Sequence, residues 1–237
     1  MKKNRGFSVA GVIVGVAVVA LIILAAVAVI EASKDNGNIG DHVKGDADAP
    51  ALVFEYADFQ CPGCASINAK VNKAVEKADG KLAVVYRNYL LSYHQNGTAA
   101  ASAAEAAGLQ GYWKQYADKL FAEQAEWEYA SGSERTALFQ KYFLDVTGGK
   151  GDVDKFNADI ASQEVKKKID FDMGIGKRID IGGTPAFYVD GQLISWNQEG
   201  SVVIDGKEIT WDSARSGDDF VNLLIEIADT KSGAKSQ

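Results

Sequence analysis

The only two cysteines of this 237-residue chain stand in the segment Cys61-Pro62-Gly63-Cys64. An apolar stretch typical of a strand, residues 51–56, precedes the segment, and a stretch typical of a helix, residues 66–78, follows it. Two thiols at this spacing on a helix start can form a small, strained disulfide, and the helix dipole and N–H groups stabilise a thiolate there. The segment therefore predicts a redox-active cysteine pair that takes part in thiol–disulfide exchange.

Two other uses of this cysteine pair stay open at the level of sequence. A structural zinc site needs four ligands, and only His42 and His94, which lack the close spacing of such sites, could complete the set. A purely structural disulfide across two intervening residues would close a very small loop, which removes little entropy from the unfolded chain. Both explanations are weaker than the redox one, and we expect neither a metal nor a cofactor.

The amino-terminal residues predict a membrane anchor. Residues 1–6 form a basic flank, and residues 7–30 contain no charged side chain. At a rise of about 1.5 Å per residue the apolar segment reaches roughly 36 Å as a helix, which exceeds a hydrocarbon core of about 30 Å. The basic flank is expected to stay in the cytoplasm, so that the rest of the chain lies outside it at the cell membrane. A cleaved signal peptide is the alternative, because Ala26-Val27-Ala28 resembles a cleavage site.

Cysteine usage and charge agree with an extracytoplasmic domain. Disulfides persist outside the cytoplasm, where a third thiol would be exposed to mispairing, and the chain has no third thiol. The net charge of −7 argues against a nucleic-acid partner, and no basic stripe with interleaved aromatic residues occurs in the sequence.

The remaining residues are organised as a linker and one domain. Residues 31–49 are rich in Asp, Gly, Asn and Ala and predict a flexible linker, and residues 50–231 are long enough for one well-buried core. The strand, cysteine segment and helix are followed by a second strand at residues 81–89, which completes a βαβ unit. Helical patterns then occupy about residues 96–177, before two hairpins and a final helix. This order predicts an α/β fold of the thioredoxin type with an inserted helical subdomain.

Five separated motifs between Asp48 and Ile194 occur in the order seen in one family. Together they resemble the DsbA-like thiol–disulfide oxidoreductases, especially the membrane-tethered kind. The motifs are residues 48–64, the strand and turn at 86–91, His94 with the Ala-rich helix after it, residues 110–113 with Leu120-Phe121, and residues 181–187, which look like the family's cis-proline loop.

Three features depart from this family pattern. Gly63 stands at a position where a histidine is common among the strong oxidants of the family, and Leu91 stands where a proline is frequent. The stretch from Ser195 to Trp211 has no counterpart that we can place. These departures concern the reduction potential and the substrate surface more than the chemistry of the cysteines.

Each residue of the cysteine segment has an expected role. Cys61 comes first and is predicted to be the exposed nucleophile, and Cys64, one turn further along, to be the more buried resolving thiol. Pro62 is favoured at the first helical position whatever the chemistry. Gly63 adds no side chain that could donate to the sulfur, so we expect the thiolate to be less stabilised than beside a cationic residue.

Three further residues are candidates for the site. The resemblance implies that Thr184 and Pro185 form a cis peptide bond that faces the disulfide and presents the Thr184 backbone to an extended substrate. A proline that only opens a strand is the alternative. Glu55 lies in an otherwise apolar strand, where it could pair with Arg87, accept a proton near Cys64 and so tune the redox pair, or face water.

The predicted function is that of an extracytoplasmic disulfide oxidase, which donates the Cys61–Cys64 disulfide to reduced secreted or surface proteins through a mixed disulfide at Cys61. No flavin or quinone motif is present. The resemblance therefore implies a separate re-oxidising partner in the membrane, of the quinone-linked type. A reductase or isomerase of the same fold and a tethered peptide-binding module without turnover are the alternatives.

Overall fold

In the computed structural model of the chain, the described residues are 40–211 and 218–235. The predicted anchor at residues 7–30 and the basic flank before it lie outside these ranges. Among the described helices, none is long and apolar enough to cross a membrane.

The described residues form a five-stranded sheet with the order β1-β3-β2-β4-β5. Strands β2 and β3 are parallel, and the other neighbours in the sheet are antiparallel. Most residues of the parallel strands β2 and β3 are buried, as expected for parallel strands covered on both faces. The strands are β1 (His42–Gly45), β2 (Ala51–Ala57), β3 (Leu82–Asn88), β4 (Ala186–Val189) and β5 (Gln192–Ile194).

Some helices pack against the sheet, and the others form a helical subdomain. One apolar core lies between the sheet and the helices Pro62–Lys77 and Asp219–Lys235, and a second, rich in alanine and aromatic residues, fills the helical part. Residues 97–178 thus form the helical insertion, and the thioredoxin-like α/β fold with such an insertion is confirmed. The helices are α1 (Pro62–Lys77), α2 (Gly97–Gly108), α3 (Trp113–Ala122), α4 (Gln124–Trp127), α5 (Gly132–Thr147), α6 (Val153–Ile160), α7 (Gln163–Arg178) and α8 (Asp219–Lys235).

A second hairpin follows the main sheet. Strands β6 (Gly200–Ile204) and β7 (Lys207–Trp211) pair antiparallel, as the Asp205-Gly206 turn signal predicts. Both turn residues have positive φ, 47° and 82°, which a type I′ hairpin turn requires and which glycine adopts without strain.

The predicted linker boundary is wrong. The linker was expected to extend to Ala49, but His42–Gly45 form the edge strand β1, which pairs with β3. Backbone hydrogen bonds to the exposed edge of β3, together with stacking of His42 on Trp113, order this segment despite its polar composition. At the other end, α8 continues to Lys235, past the predicted domain end at residue 231.

Candidate active site

The two cysteines lie at the start of α1. Cys61 is the residue that precedes the first helical position, with φ −76° and ψ 121°, and Pro62 begins the helix. Both cysteines are free thiols in this structure. Cys61 is 8% exposed and Cys64 is fully buried. Cys61 is more accessible than Cys64, as predicted. Cys61 is nevertheless buried and not exposed as predicted, because the loop at Thr184 packs over its sulfur.

The surroundings of the two sulfurs separate their pKa values. A hydrogen bond from the Cys64 thiol, assisted by Thr184 and by the N–H groups of Gly63 and Cys64, lowers the pKa of Cys61 from 9.0 to about 5, against the opposing effect of burial. Burial raises the pKa of Cys64, and the interaction with Cys61 raises it further. At neutral pH the pair therefore holds one thiolate, at Cys61, and one thiol, at Cys64.

The loop before β4 faces the cysteine segment. The Thr184–Pro185 peptide bond is cis, as the resemblance implied. The Cys61 Sγ lies 3.3 Å from the carbonyl oxygen of Thr184. The Thr184 hydroxyl oxygen is buried, and the Thr184 side chain helps to lower the pKa of Cys61. The structure thus brings Cys61, Cys64, Thr184 and Pro185 together; their roles in catalysis stay predictions.

Glu55 is fully buried in β2. Its neighbour across β3 is Tyr86, whereas Arg87 is opposite Tyr56, and successive side chains of a strand point to opposite faces. Pairing of Glu55 with Arg87 is therefore wrong, and so is the water-facing alternative. Arg87 binds Asp41 instead, at 2.8 Å.

The electrostatic surroundings of Glu55 are those of a buried acid. Neither carboxylate oxygen has a hydrogen-bond partner within the described ranges. Burial raises the pKa of Glu55, and the nearby charge of Lys44 offsets part of this effect. Glu55 in turn raises the pKa of Cys64. Of the three alternatives for Glu55, a proton acceptor near Cys64 is the one that agrees with this arrangement.

Asp58 and His94 both lie in the family motifs, and the structure brings them into contact with each other beside the cysteine segment. Asp58 is fully buried, and its carboxylate accepts hydrogen bonds from the backbone N–H groups of Gln60 and Leu91, each at 2.9 Å. His94 Nδ1 lies 2.8 Å from the same carboxylate, and the Asp58 carbonyl accepts a hydrogen bond from the Cys61 N–H at 3.0 Å. The sequence signal for this contact is an acidic residue three positions before the first cysteine together with a histidine on the turn after β3.

The two histidines contact carboxylate groups. His42 Nε2 lies 2.6 Å from a Glu105 carboxylate oxygen, and His94 contacts Asp58. In residues 40–211 and 218–235, no group of three or more His, Cys, Asp or Glu side chains is arranged to hold a metal ion.

Comparison with known proteins places the chain in a known family. The sequence profile of the family described as Thioredoxin matches residues 37–212. The solved structure of BdbD from Bacillus subtilis is similar, with a TM-score of 0.60 and 18% identity over 81% of this chain and 94% of that one. Wolbachia pipientis alpha-DsbA1 is similar with a TM-score of 0.59 and 22% identity, over 84% of this chain and 95% of that one. At these identities the structures show a shared fold.

Curated sequences of another kind also match. The Na(+)/H(+) antiporter NhaA 1 of Mycolicibacterium gilvum is 30% identical over 155 residues, which are 64% of this chain and 24% of the antiporter. The NhaA 1 of Salinispora arenicola is 33% identical over 153 residues, 64% of this chain and 22% of that protein. The match thus spans about a quarter of the length of these curated relatives.

Proposed function

The chain belongs to the thioredoxin family and has the fold of the DsbA-like thiol–disulfide oxidoreductases, and we propose that it is an extracytoplasmic disulfide oxidase. The observation that supports this most directly is the Cys61 sulfur. Cys61 immediately precedes the first residue of α1, its pKa is lowered to about 5, and its Sγ lies 3.3 Å from the carbonyl oxygen of Thr184 in a cis-proline loop. A sulfur in this position is a good leaving group and lies beside a backbone segment that can pair with an extended polypeptide.

The proposed reaction is a pair of thiol–disulfide exchanges. A substrate thiolate attacks Cys61 of the oxidised pair, a substrate–Cys61 bond forms, and Cys64 leaves and takes up a proton because its pKa is raised. We propose that Glu55, the buried acid that interacts with Cys64, exchanges this proton. A second substrate thiolate then attacks the substrate sulfur of the mixed disulfide. The substrate disulfide forms and Cys61 leaves as a thiolate.

The direction of electron flow follows from the stability of the released thiolate. A stabilised Cys61 thiolate favours the reduced protein and so raises the reduction potential, which makes the pair an oxidant. Gly63 contributes no side-chain donor to the sulfur, so we expect a milder oxidant than family members with a histidine at this position. A membrane partner of the quinone-linked type would then re-oxidise the cysteines.

The proposed location depends on the amino-terminal sequence. Residues 7–30 lack charge and follow a basic flank, which favours a single-pass anchor with the domain outside the cytoplasm. External protease added to intact cells should then digest the domain and leave a small membrane fragment. A soluble secreted form that begins near Val29 would contradict the anchor but not the compartment.

The direction of disulfide transfer between this protein and a substrate protein distinguishes the oxidase from its alternatives. The oxidised full-length protein, in detergent, is mixed with a reduced unfolded protein, and the loss of substrate thiols is followed. We expect one disulfide to be transferred per oxidised protein, and Cys61→Ser to transfer none. A reduced protein that instead cleaves substrate disulfides faster than its oxidised form makes them would support the reductase alternative. If the protein neither forms nor cleaves substrate disulfides, the peptide-binding module without turnover would be the remaining alternative.

A further inference from the structure

Helix α7 exposes a face that is both basic and apolar. Lys167, Phe171, Gly174 and Arg178 follow the i, i+4, i+7, i+11 spacing of one helix face. The Phe171 ring is 49% exposed, and Lys167 and Arg178 are exposed as well. A Cβ built on Gly174 would lie 3.7 Å from Nη1 of Arg178, so the guanidinium lies over this glycine. The α7 face comprises these four residues and the adjoining exposed residues Lys177 and Ile179.

The charge of the α7 face is positive although the chain as a whole is acidic. Among the described residues, no carboxylate lies within ion-pair distance of Lys167, Lys177 or Arg178. Two aspartates of the helix are each bound by the lysine four positions before them, which leaves Glu164 and Asp180 at the two ends. Because the net charge of the chain is −7, an anionic surface is attracted more strongly by this face than by the average surface of the protein.

The first described strand begins beside the α7 face. Asp41, which precedes β1, lies 2.8 Å from Nη2 of Arg87 and 3.3 Å from Nζ of Lys168. The guanidinium carbon of Arg87 lies 5.8 Å from the centre of the Phe171 ring. Because β1 starts here, only residues 31–40 separate Asp41 from the predicted anchor, and a segment of this length spans at most about 35 Å. The sequence expectation of an anchor therefore keeps the α7 face close to the membrane.

An apolar cavity extends the α7 face towards the sheet. It has a volume of about 330 Å³, and its lining includes Phe54, Ile175, Ile179 and two tyrosines, with Arg87 as the charged lining residue. Ile179 is 43% exposed. Exposed apolar side chains between cations are typical of surfaces that lie in the interface of a bilayer, where the apolar groups reach the acyl boundary and the cations stay among the headgroups.

We propose that the α7 face docks the domain on the membrane surface by binding anionic phospholipids. The inference rests on the membrane location given in the proposed function and adds the lipid surface as a binding partner. Lys167, Lys177 and Arg178 complement the phosphate groups of the lipids, and the short segment before Asp41 raises the effective concentration of the bilayer at this face. Docking holds the domain in one orientation on the membrane that also contains the proposed re-oxidising partner.

The test measures the accessibility of individual lysines in the full-length protein. The protein is reconstituted at one copy per nanodisc, in discs of phosphatidylcholine or of phosphatidylcholine and phosphatidylglycerol in equal parts. The rate at which each lysine is acetylated is read by mass spectrometry. Lys167 and Lys177 report on the α7 face. Lys77, on α1, and Lys150, after α5, are exposed lysines elsewhere and serve as internal controls.

We expect the two reporter lysines to react at least about threefold more slowly in the discs with phosphatidylglycerol, and the two control lysines to react at equal rates in both. About 0.5 M salt should reduce the difference, because it screens the attraction. Arg178→Glu and Phe171→Ser should each remove most of it. The matched controls are Lys150→Glu, with the same change of charge, and Tyr129→Ser, which removes a ring that is 86% exposed; both should retain it.

The outcomes separate this inference from the proposed function. If the protein enters the discs but all lysines respond alike, or Arg178→Glu retains the protection while its urea melt is unchanged, the α7 face does not bind lipid. Protection that requires two copies per disc would assign the face to self-association and contradict the proposal. A protein that does not enter the discs would contradict the membrane location and this inference with it. Disulfide transfer is measured separately on the same samples, and its failure would leave lipid docking in place.

Discussion

At the scale of single residues, the chemistry of the site depends on the interaction between the two cysteine side chains. The Cys64 thiol donates to the Cys61 sulfur, and this is the largest of the effects that lower the pKa of Cys61 to about 5. The same burial that excludes water from Cys64 keeps it protonated, so it stays a donor. The two sulfurs thereby differ in charge although only two residues separate them.

Alkylation of the reduced protein should reveal this difference. We expect the rate of Cys61 alkylation by iodoacetamide to rise with pH through a midpoint near 5 and to level off above it, because the thiolate is the reactive form. Cys64→Ala removes the donor and should move the midpoint upward, towards the 9.0 of an ordinary thiol. A wild-type midpoint near that ordinary value would contradict the assignment, and preferential alkylation of Cys64 would reverse the two roles.

Gly63 should tolerate a side chain better when Trp196 is removed, although the closer contact with Pro185 stays. We expect Gly63→His to lower the free energy of unfolding by about 1–3 kcal/mol, because its Cβ would lie 3.1 Å from Pro185 Cδ and 3.4 Å from the Trp196 ring. Trp196→Ala in the same chain should recover part of the loss, with a coupling of about 1 kcal/mol in a double-mutant cycle of urea melts. Additive effects would show that the two residues do not compete for space.

At the scale of elements, the turn between β2 and α1 is held by side chains from other parts of the chain. Asp58 accepts from the backbone at Gln60 and Leu91, and Gln124 donates to the carbonyls of Phe59 and Cys61 at 2.7 and 3.1 Å. The end of β3 and the helical insertion thus both fix the position of Cys61. Gly97 permits the approach of Asp58, since a Cβ at position 97 would lie 2.8 Å from its carboxylate oxygen.

Asp58 is therefore expected to be a positioning residue. Asp58→Asn replaces one acceptor oxygen by an N–H₂ group that faces a backbone donor, and it should lower the free energy of unfolding by about 1–3 kcal/mol. It should also shift the alkylation midpoint of Cys61, which a merely stabilising residue would leave unchanged. Asp152→Asn, at the start of α6, is the matched control, because asparagine is an equally good N-cap. A shifted midpoint in the control, or none in Asp58→Asn, would contradict this role.

At the scale of the whole molecule, the thiolate links redox state to stability. Only the reduced protein contains the Cys61 thiolate, whose pKa falls from 9.0 in the unfolded chain to about 5 in the folded one. Between these values the unfolded chain binds one more proton, so the stability of the reduced form increases with pH. The contribution is absent below about pH 5 and complete above about pH 9.

Paired urea melts of the reduced and oxidised proteins should show this linkage. At pH 7, two units above the folded pKa, the thiolate should add about 2–3 kcal/mol to the stability of the reduced form, from roughly 1.4 kcal/mol per pH unit, and the reduced form should be the more stable of the two. The difference should shrink as the pH falls to 5. A more stable oxidised form at pH 7 would exclude the oxidase and favour a reductase or a structural bridge.

Features that depend on neighbouring residues were predictable from the sequence. Apolar periodicity and the Asp190-Gly191 and Asp205-Gly206 turns indicate the strands, helices and hairpins, because each of these signals acts over a few residues. The Cys61–Cys64 spacing places the pair at a helix start for the same reason. The sequence by itself therefore determined the fold class and the position of the reactive pair.

Contacts between distant segments were decided only by the tertiary structure. β1 forms because β3 offers it an open edge, and the register of β2 on β3 decides that Glu55 points away from Arg87. Asp58 contacts His94, which is 36 positions away in the sequence. Trp196, which follows β5, lies beside Gly63 at the start of α1. Such contacts depend on how whole elements pack, and no pattern over a few residues encodes which side chain will fill the space beside a sulfur.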